Sequence, residues 1–165
     1  MSILLFWADR CNAQNLVETG SYYGDTIRYL HRRFENLYSI EIAKVFSEPL
    51  RKEFAKFPGV HIVEANSATA IPEIVDKIKN TSTVFWLDAH HSGGETEGFG
   101  YVPTESEVIA IASGMKVEHV IVIDDMKDFS GKDGYPTVEH VANLCRGKGY
   151  EVVIFNNMLQ AWRGK

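Results

Sequence analysis

A three-layer α/β sandwich around a mostly parallel sheet is the fold this sequence predicts, and three observations predict it. Short apolar runs alternate with amphipathic segments along the chain, the strand–helix repetition that parallel sheets require. One run, TVFWLDA at residues 83–89, is nearly all apolar, as expected of a strand covered by helices on both faces. The chain closes with YEVVIF, two asparagines and LQAW. That reads as an antiparallel hairpin, because asparagine tolerates the positive φ of a tight turn, though less readily than an Asn-Gly pair.

The elements follow in order. NLVETG is a strand running into a glycine turn. DTIRYLHRRF is a helix that Asp25 can cap, with Arg32 and Arg33 favoured at its C-terminal end. Its Ile27, Leu30 and Phe34 fall on one face. LYSIEI is the second strand, and SEPLRKEFAKF a helix with Ser47 as cap, Pro49 in its first turn and Leu50, Phe54 and Phe57 as its stripe. VHIVEA is the third strand; the helix IPEIVDKIK turns Ile71, Ile74, Val75 and Ile78 inward. After the fourth strand a glycine-rich loop runs to about Pro103. TESEVIAIASG is a helix with a Thr104/Glu107 capping box and Gly114 at a left-handed C-terminal position. HVIVIDD is the fifth strand and TVEHVANLCRGKG the last helix. With the hairpin this makes seven strands in a single domain, 1–165, of which 16–165 is the core and 1–15 an N-terminal segment.

Composition narrows the function classes. Hydrophobic content of 45% and charged content of 24% are ordinary for a globular domain with a real core. Acids outnumber bases 22 to 17, and HRRF is the densest basic run. There is neither the basic stripe of a nucleic-acid binder nor the basic face of a membrane-surface helix, so neither partner is expected. Cys11 and Cys145 lie far apart without metal-ligand spacing and read as reduced thiols. MSILLFWADR lacks a basic n-region and a cleavage site. A cytoplasmic protein is expected.

Each parallel strand delivers polar groups to one edge: ETGSYYG after the first, Glu41 after the second, Asn66 and Ser67 after the third, Asp88, His90 and His91 after the fourth, Asp124 and Asp125 after the fifth. Ligands of open α/β sheets bind at the carboxyl ends of the strands. The first loop places Glu18 before Gly20 and Gly24. It lacks G-x-G-x-x-G and the P-loop pattern. Its acid repels a pyrophosphate and suits a ligand carrying an ammonium or sulfonium; the alternative is a turn that simply needs glycine. Glu41 lies about twenty residues beyond the loop, the position from which an acid accepts hydrogen bonds from ribose hydroxyls. The alternative is a solvated strand-end acid.

The ordered set LVETGSYYGDT, YSIEI, EANS, FWLDAHHSGG and VIVIDD resembles the class I S-adenosylmethionine-dependent methyltransferases over about residues 16–163, and within them the macrocin O-methyltransferase-like group. The resemblance implies a Rossmann-like sandwich, S-adenosylmethionine as cofactor, and a small hydroxylated acceptor such as a sugar. It also implies that Glu18, Gly20 and Ser21 line the methionine end of the cofactor, that Glu41 holds the ribose, that Asn66 and Ser67 lie near the adenine, and that Asp88 sits close to the sulfonium and the acceptor.

Three carboxylates, Asp88, Asp124 and Asp125, converge on neighbouring strand ends in this reading. They would repel unless a cation sits among them, and oxygen ligands suit Mg²⁺. Some small-molecule O-methyltransferases resemble this layout. The alternative is two solvated carboxylates, with Asp125 capping the next turn. His90 is the candidate general base, because it shares a face with Asp88 if extended geometry persists; it also suits a metal ligand or a loop histidine bonded to a carbonyl. Gly93–Gly94 and TEGFGY read either as an aromatic flap closing over substrate or as a surface loop. Phe6–Trp7 reads three ways, as cover over the cofactor, core packing or a contact in a homodimer. Two rival functions stand beside methyl transfer: a metal-dependent hydrolase using the Asp/His cluster, and a non-catalytic S-adenosylmethionine-binding module.

Overall fold

The computed structural model describes residues 2–89 and 102–163. The elements are α1 (Ser2–Arg10), β1 (Asn15–Thr19), α2 (Asp25–Leu30), β2 (Asn36–Glu41), α3 (Lys44–Glu53), β3 (Val60–Glu64), α4 (Ser67–Ile78), β4 (Thr83–Leu87), α5 (Thr104–Gly114), β5 (His119–Ile123), a 3₁₀ turn (Met126–Asp128), α6 (Val138–Gly147), β6 (Glu151–Phe155) and β7 (Met158–Trp162). All seven strands form one sheet in the order β3-β2-β1-β4-β5-β7-β6. β1 to β5 run parallel, and β7 is antiparallel to both β5 and β6. The expected sheet and its terminal hairpin are therefore both present.

Strand pleating explains the two cores. Successive side chains point to opposite faces, so β4 sends Phe85 and Leu87 to one layer and Val84 and Trp86 to the other. The first layer is closed by α4, α5 and α6 through residues such as Ile71, Ile111 and Val141. The second is closed by α1, α2 and α3 through Leu4, Ile27 and Leu50. All five residues of β1, β4 and β5 are buried, which is why the fourth strand reads as an unbroken apolar run. Among the described residues no helix is long and apolar enough to cross a membrane.

Several local expectations need correction. Residues 2–10 form a helix that the sequence reading did not assign. Its Trp7 is buried, packs on Trp162 at 5.0 Å and donates through Nε1 to Gln160 Oε1 at 2.8 Å, so of the three readings core packing is the one observed; Phe6 stays exposed. Asp25 does not cap α2. The helix opens from Gly24 at φ 82°, and Asp25 instead faces Arg28. It also ends at Leu30, leaving Arg32 and Arg33 beyond it; Arg33 reaches Asp9 at 2.6 Å. α3 begins at Lys44, which puts Ser47 and Pro49 inside the helix, and Ser47 donates to Glu64 rather than capping. Thr104 is the first residue of α5 behind Pro103 and makes no capping bond, while Glu107 is buried. Gly114 is the last helical residue, not a left-handed one. It is glycine because a Cβ there would stand 2.3 Å from Val75 Cγ1 of α4.

Candidate functional site

The order β2-β1-β4 places the switch point of the sheet between β1 and β4, since chain connections leave β1 toward β2 and β3 on one side and β4 leads to β5 on the other. A crevice opens at such a point beyond the strand carboxyl ends. Its floor is set by backbone. Gly20 adopts φ 84°, and a Cβ there would stand 2.5 Å from the carbonyl oxygen of Asp88. The ladder runs on past both strands, Asp88 N–H donating to Thr19 O at 3.1 Å and Asp124 N–H to Leu87 O at 3.1 Å. The ends of β1, β4 and β5 are thereby held level.

Three acids ring this floor. Glu18, the fourth residue of β1, is 1% exposed. Ser39 Oγ donates to its Oε2, Ser39 in turn shares a 2.5 Å hydrogen bond with Ser21 Oγ, and Thr26 also bonds the carboxyl. Burial pushes the Glu18 carboxyl up to about 7; the Ser39 and Thr26 hydrogen bonds act in the opposite sense, and the nearby charges of Asp88 and Glu41 add to the rise. Glu41 closes β2 and is buried. Its Oε2 accepts from Tyr22 N–H at 2.9 Å and its Oε1 from Ala43 N–H at 2.8 Å. Each carboxylate oxygen has a second lone pair, so a carboxyl fixed in orientation retains two acceptor positions. Asp88 is half-buried.

The other expected residues divide. Asn66 caps α4, its Oδ1 accepting from Ala68 N–H at 2.9 Å, and Ser67 is buried behind it; both lie one strand outward, past β3. Asp124 and Asp125 follow β5. Asp124 Oδ1 accepts from Asp125 N–H at 2.8 Å. Asp125, at φ 52°, accepts from Asn157 Nδ2 at 3.0 Å and faces Lys127 Nζ at 3.2 Å. This tie fastens the β5 loop to the terminal hairpin. Among the described residues no group of three or more His, Cys, Asp and Glu side chains is arranged to hold a metal. His90, His91 and the glycine-rich segment lie outside the described residues.

Residues that the sequence reading passed over complete the site. Ser39 is the register partner of Glu18 across the β1–β2 pair. Its signal was a hydroxyl between apolar neighbours, two residues before Glu41 and so on the same face. Tyr22, at φ 45°, supplies the N–H that orients Glu41. Its ring joins Tyr23 and Phe46 at centroid distances of 4.2 and 4.7 Å, forming an exposed aromatic rim. Nothing in the spacing pointed to Phe46, because the rim is made by the loop after β1 meeting the first turn of α3.

No family model matches the sequence, and no curated protein does. Solved structures do resemble it. An rRNA methylase from Streptococcus thermophilus is similar over 99% of this chain and 95% of that one, at 10% identity and a TM-score of 0.62. The N-methyltransferase NodS from Bradyrhizobium japonicum WM9 is similar over 99% and 93%, at 8% identity and 0.62. Magnesium protoporphyrin IX methyltransferase from Synechocystis PCC 6803, solved with S-adenosylhomocysteine bound, is similar over 99% and 80%, at 10% identity and 0.60. TM-scores of 0.60–0.62 over 99% of a chain whose sheet inserts an antiparallel β7 before β6 identify the fold as that of the class I S-adenosylmethionine-dependent methyltransferases.

Proposed function

We propose that the protein is an S-adenosylmethionine-dependent methyltransferase acting on a hydroxyl of a small molecule such as a sugar, as in the macrocin O-methyltransferase-like group its motifs resemble. The observation that carries the reading is the Glu41 carboxylate, buried at the end of β2 and fixed by two backbone N–H groups beside the glycine floor. The donor set fits the cofactor. Glu41 presents paired acceptors suited to a ribose diol. Gly20 lets the loop after β1 close against the Asp88 backbone, and Glu18 and Asp88 supply negative charge suited to an ammonium and a sulfonium. Asn66 and Ser67 lie on the adenine side. When bound, S-adenosylmethionine supplies an electrophilic methyl group.

The chain's own residues bind, orient and deprotonate. Rigid seating is the larger part of catalysis for an in-line displacement, and the linked ends of β1, β4 and β5 provide a rigid seat. A hydroxyl acceptor must lose a proton, and His90 is the residue proposed to take it.

Calorimetric titration with S-adenosylhomocysteine tests the proposal. Wild type is expected to bind in the micromolar range, and Glu41→Ala to weaken binding by about tenfold or more, the loss of hydrogen bonds to a charged partner. A wild-type protein with no detectable affinity would overturn the reading. Binding without methyl transfer to any of a panel of hydroxylated acceptors would favour a non-catalytic binding module.

A further inference from the structure

The far edge of the sheet is unusual. Among the described residues β6 is the terminal strand, paired with β7 alone. Asn156 and Asn157, at φ 49° and 65°, form the two-residue turn, so Phe155 and Met158 are the hydrogen-bonded pair that closes it. Val153 and Glu151 follow at period two and also face β7. The N–H and C=O groups of Val152 and Ile154 therefore point away from the sheet. Edges of this kind are normally blunted by lysine, proline, a bulge or a covering loop. Residues 151–155 contain no lysine or proline, and their register against β7 is unbroken. Val153, Ile154 and Phe155 stand 46%, 47% and 63% exposed.

We infer that β6 is a dimerisation strand: two copies of this chain pair β6 against β6, antiparallel, about a two-fold axis through Val153, extending the sheet across both subunits. Two observations select a second copy as the occupant. The first is register. Centring the axis on Val153 sets Val152 of each copy opposite Ile154 of the other, so every outward backbone group of the strand finds a partner. The same alignment stacks Val153 on Val153. The second is charge. Exposed Arg146 and Lys148 lie where α6 leads into β6, whereas Asp125 and Asp128 outnumber Lys127 in the loop at the hairpin end, which Asn157 binds through the Lys127 N–H and the Asp125 carboxylate. Antiparallel pairing brings the basic end of each copy against the acidic end of the other, twice. It also keeps the two Glu151 carboxylates at opposite ends. β5 and β7 lie between this edge and the β1–β4 crevice, so the inference does not depend on the proposed reaction.

Sedimentation and light scattering across a micromolar concentration series test it, with three variants. In Ile154→Pro the lost N–H is one that points outward, so the ladder to β7 is kept while pairing between copies is blocked. In Val153→Cys the two thiols meet across the axis, where opposed Cα atoms lie about 4.5 Å apart, within the reach of a disulfide. In Val152→Cys the equivalent thiols are offset diagonally by about 7–8 Å. The native Cys11 and Cys145 are buried and do not compete. Expected are a mass twice 18.6 kDa for wild type, its return to monomer in Ile154→Pro with native circular dichroism, and a covalent dimer on oxidation of Val153→Cys but not of Val152→Cys. A wild type monomeric throughout the series, with no covalent dimer from Val153→Cys, would overturn the inference. So would a dimer that Ile154→Pro leaves intact and Val153→Cys does not lock, since another surface would then hold it.

Discussion

Glu18 shows how a single residue carries opposed demands. Its carboxyl is buried, and folding raises its pKa from 4.5 to about 7. Between those values the unfolded chain has released the proton that the folded chain still holds. The folded state therefore binds more protons, and stability falls as pH rises through that window and levels off above it. Below 4.5 both states are protonated and no penalty exists. Glu18→Gln removes the penalty. The variant is expected to melt higher than wild type at pH 8 and to show a flatter melting profile between pH 4.5 and 7, measured by thermal denaturation at stepped pH. On the proposed function it is also expected to bind S-adenosylhomocysteine about tenfold more weakly, for want of a negative partner to the ammonium. Opposite shifts in stability and binding distinguish a binding acid from a structural one; functional residues are commonly not the most stable choice. Of this site, Glu18, Gly20 and Glu41 were legible in the sequence because their types and order are tied to strand ends. Ser39, Thr26 and Tyr22 were not, because a hydrogen bond between neighbouring strands depends on register, which a single sequence does not print.

At the scale of the element, the chain order was readable and the boundaries were less so. The period-two and near-continuous apolar runs identified each strand, since β1, β4 and β5 are buried along their whole length. Helix starts went astray where a polar side chain matched a capping pattern but had better use elsewhere. Ser47 donates to Glu64 within a helix already begun at Lys44, and Glu107 is drawn into the interior behind Pro103. α1 was missed because nine residues with Leu4, Trp7 and Ala8 inward are too few to show helical period against an apolar background. Gly114 illustrates the same limit. It sits where a C-terminal glycine is expected, yet its role is to let α5 approach α4. Alanine there is a better helix former, but its Cβ would meet Val75 Cγ1 at 2.3 Å. Gly114→Ala is expected to destabilise by about 1–3 kcal/mol, the usual penalty of overpacking, read from urea denaturation. The double variant with Val75→Ala is expected to recover part of that loss, which would mark the clash as its cause.

Across the whole molecule, the helix nearest the amino end is an integral layer of the sandwich. Trp7 lies in the second core, against Trp162 and bonded to Gln160, both on β7. Trp7→Ala is expected to cost about 3–5 kcal/mol, as for other large buried aromatics. Phe6→Ala, one residue away but exposed, is expected to change stability by less than about 0.5 kcal/mol. Chemical denaturation of the two variants beside wild type checks both values, and similar losses from the two would show that α1 does not dock as described.

The bond from Trp7 to Gln160 spans 153 positions of the chain. During synthesis the first helix emerges well before the strand that seats it. Until then Leu4 and Trp7 have only a half-built surface to rest on, and the apolar underside of the growing sheet is uncovered. The molecule thus has a natural window in which a chaperone can bind it, and that window shuts when β7 slides in beside β5.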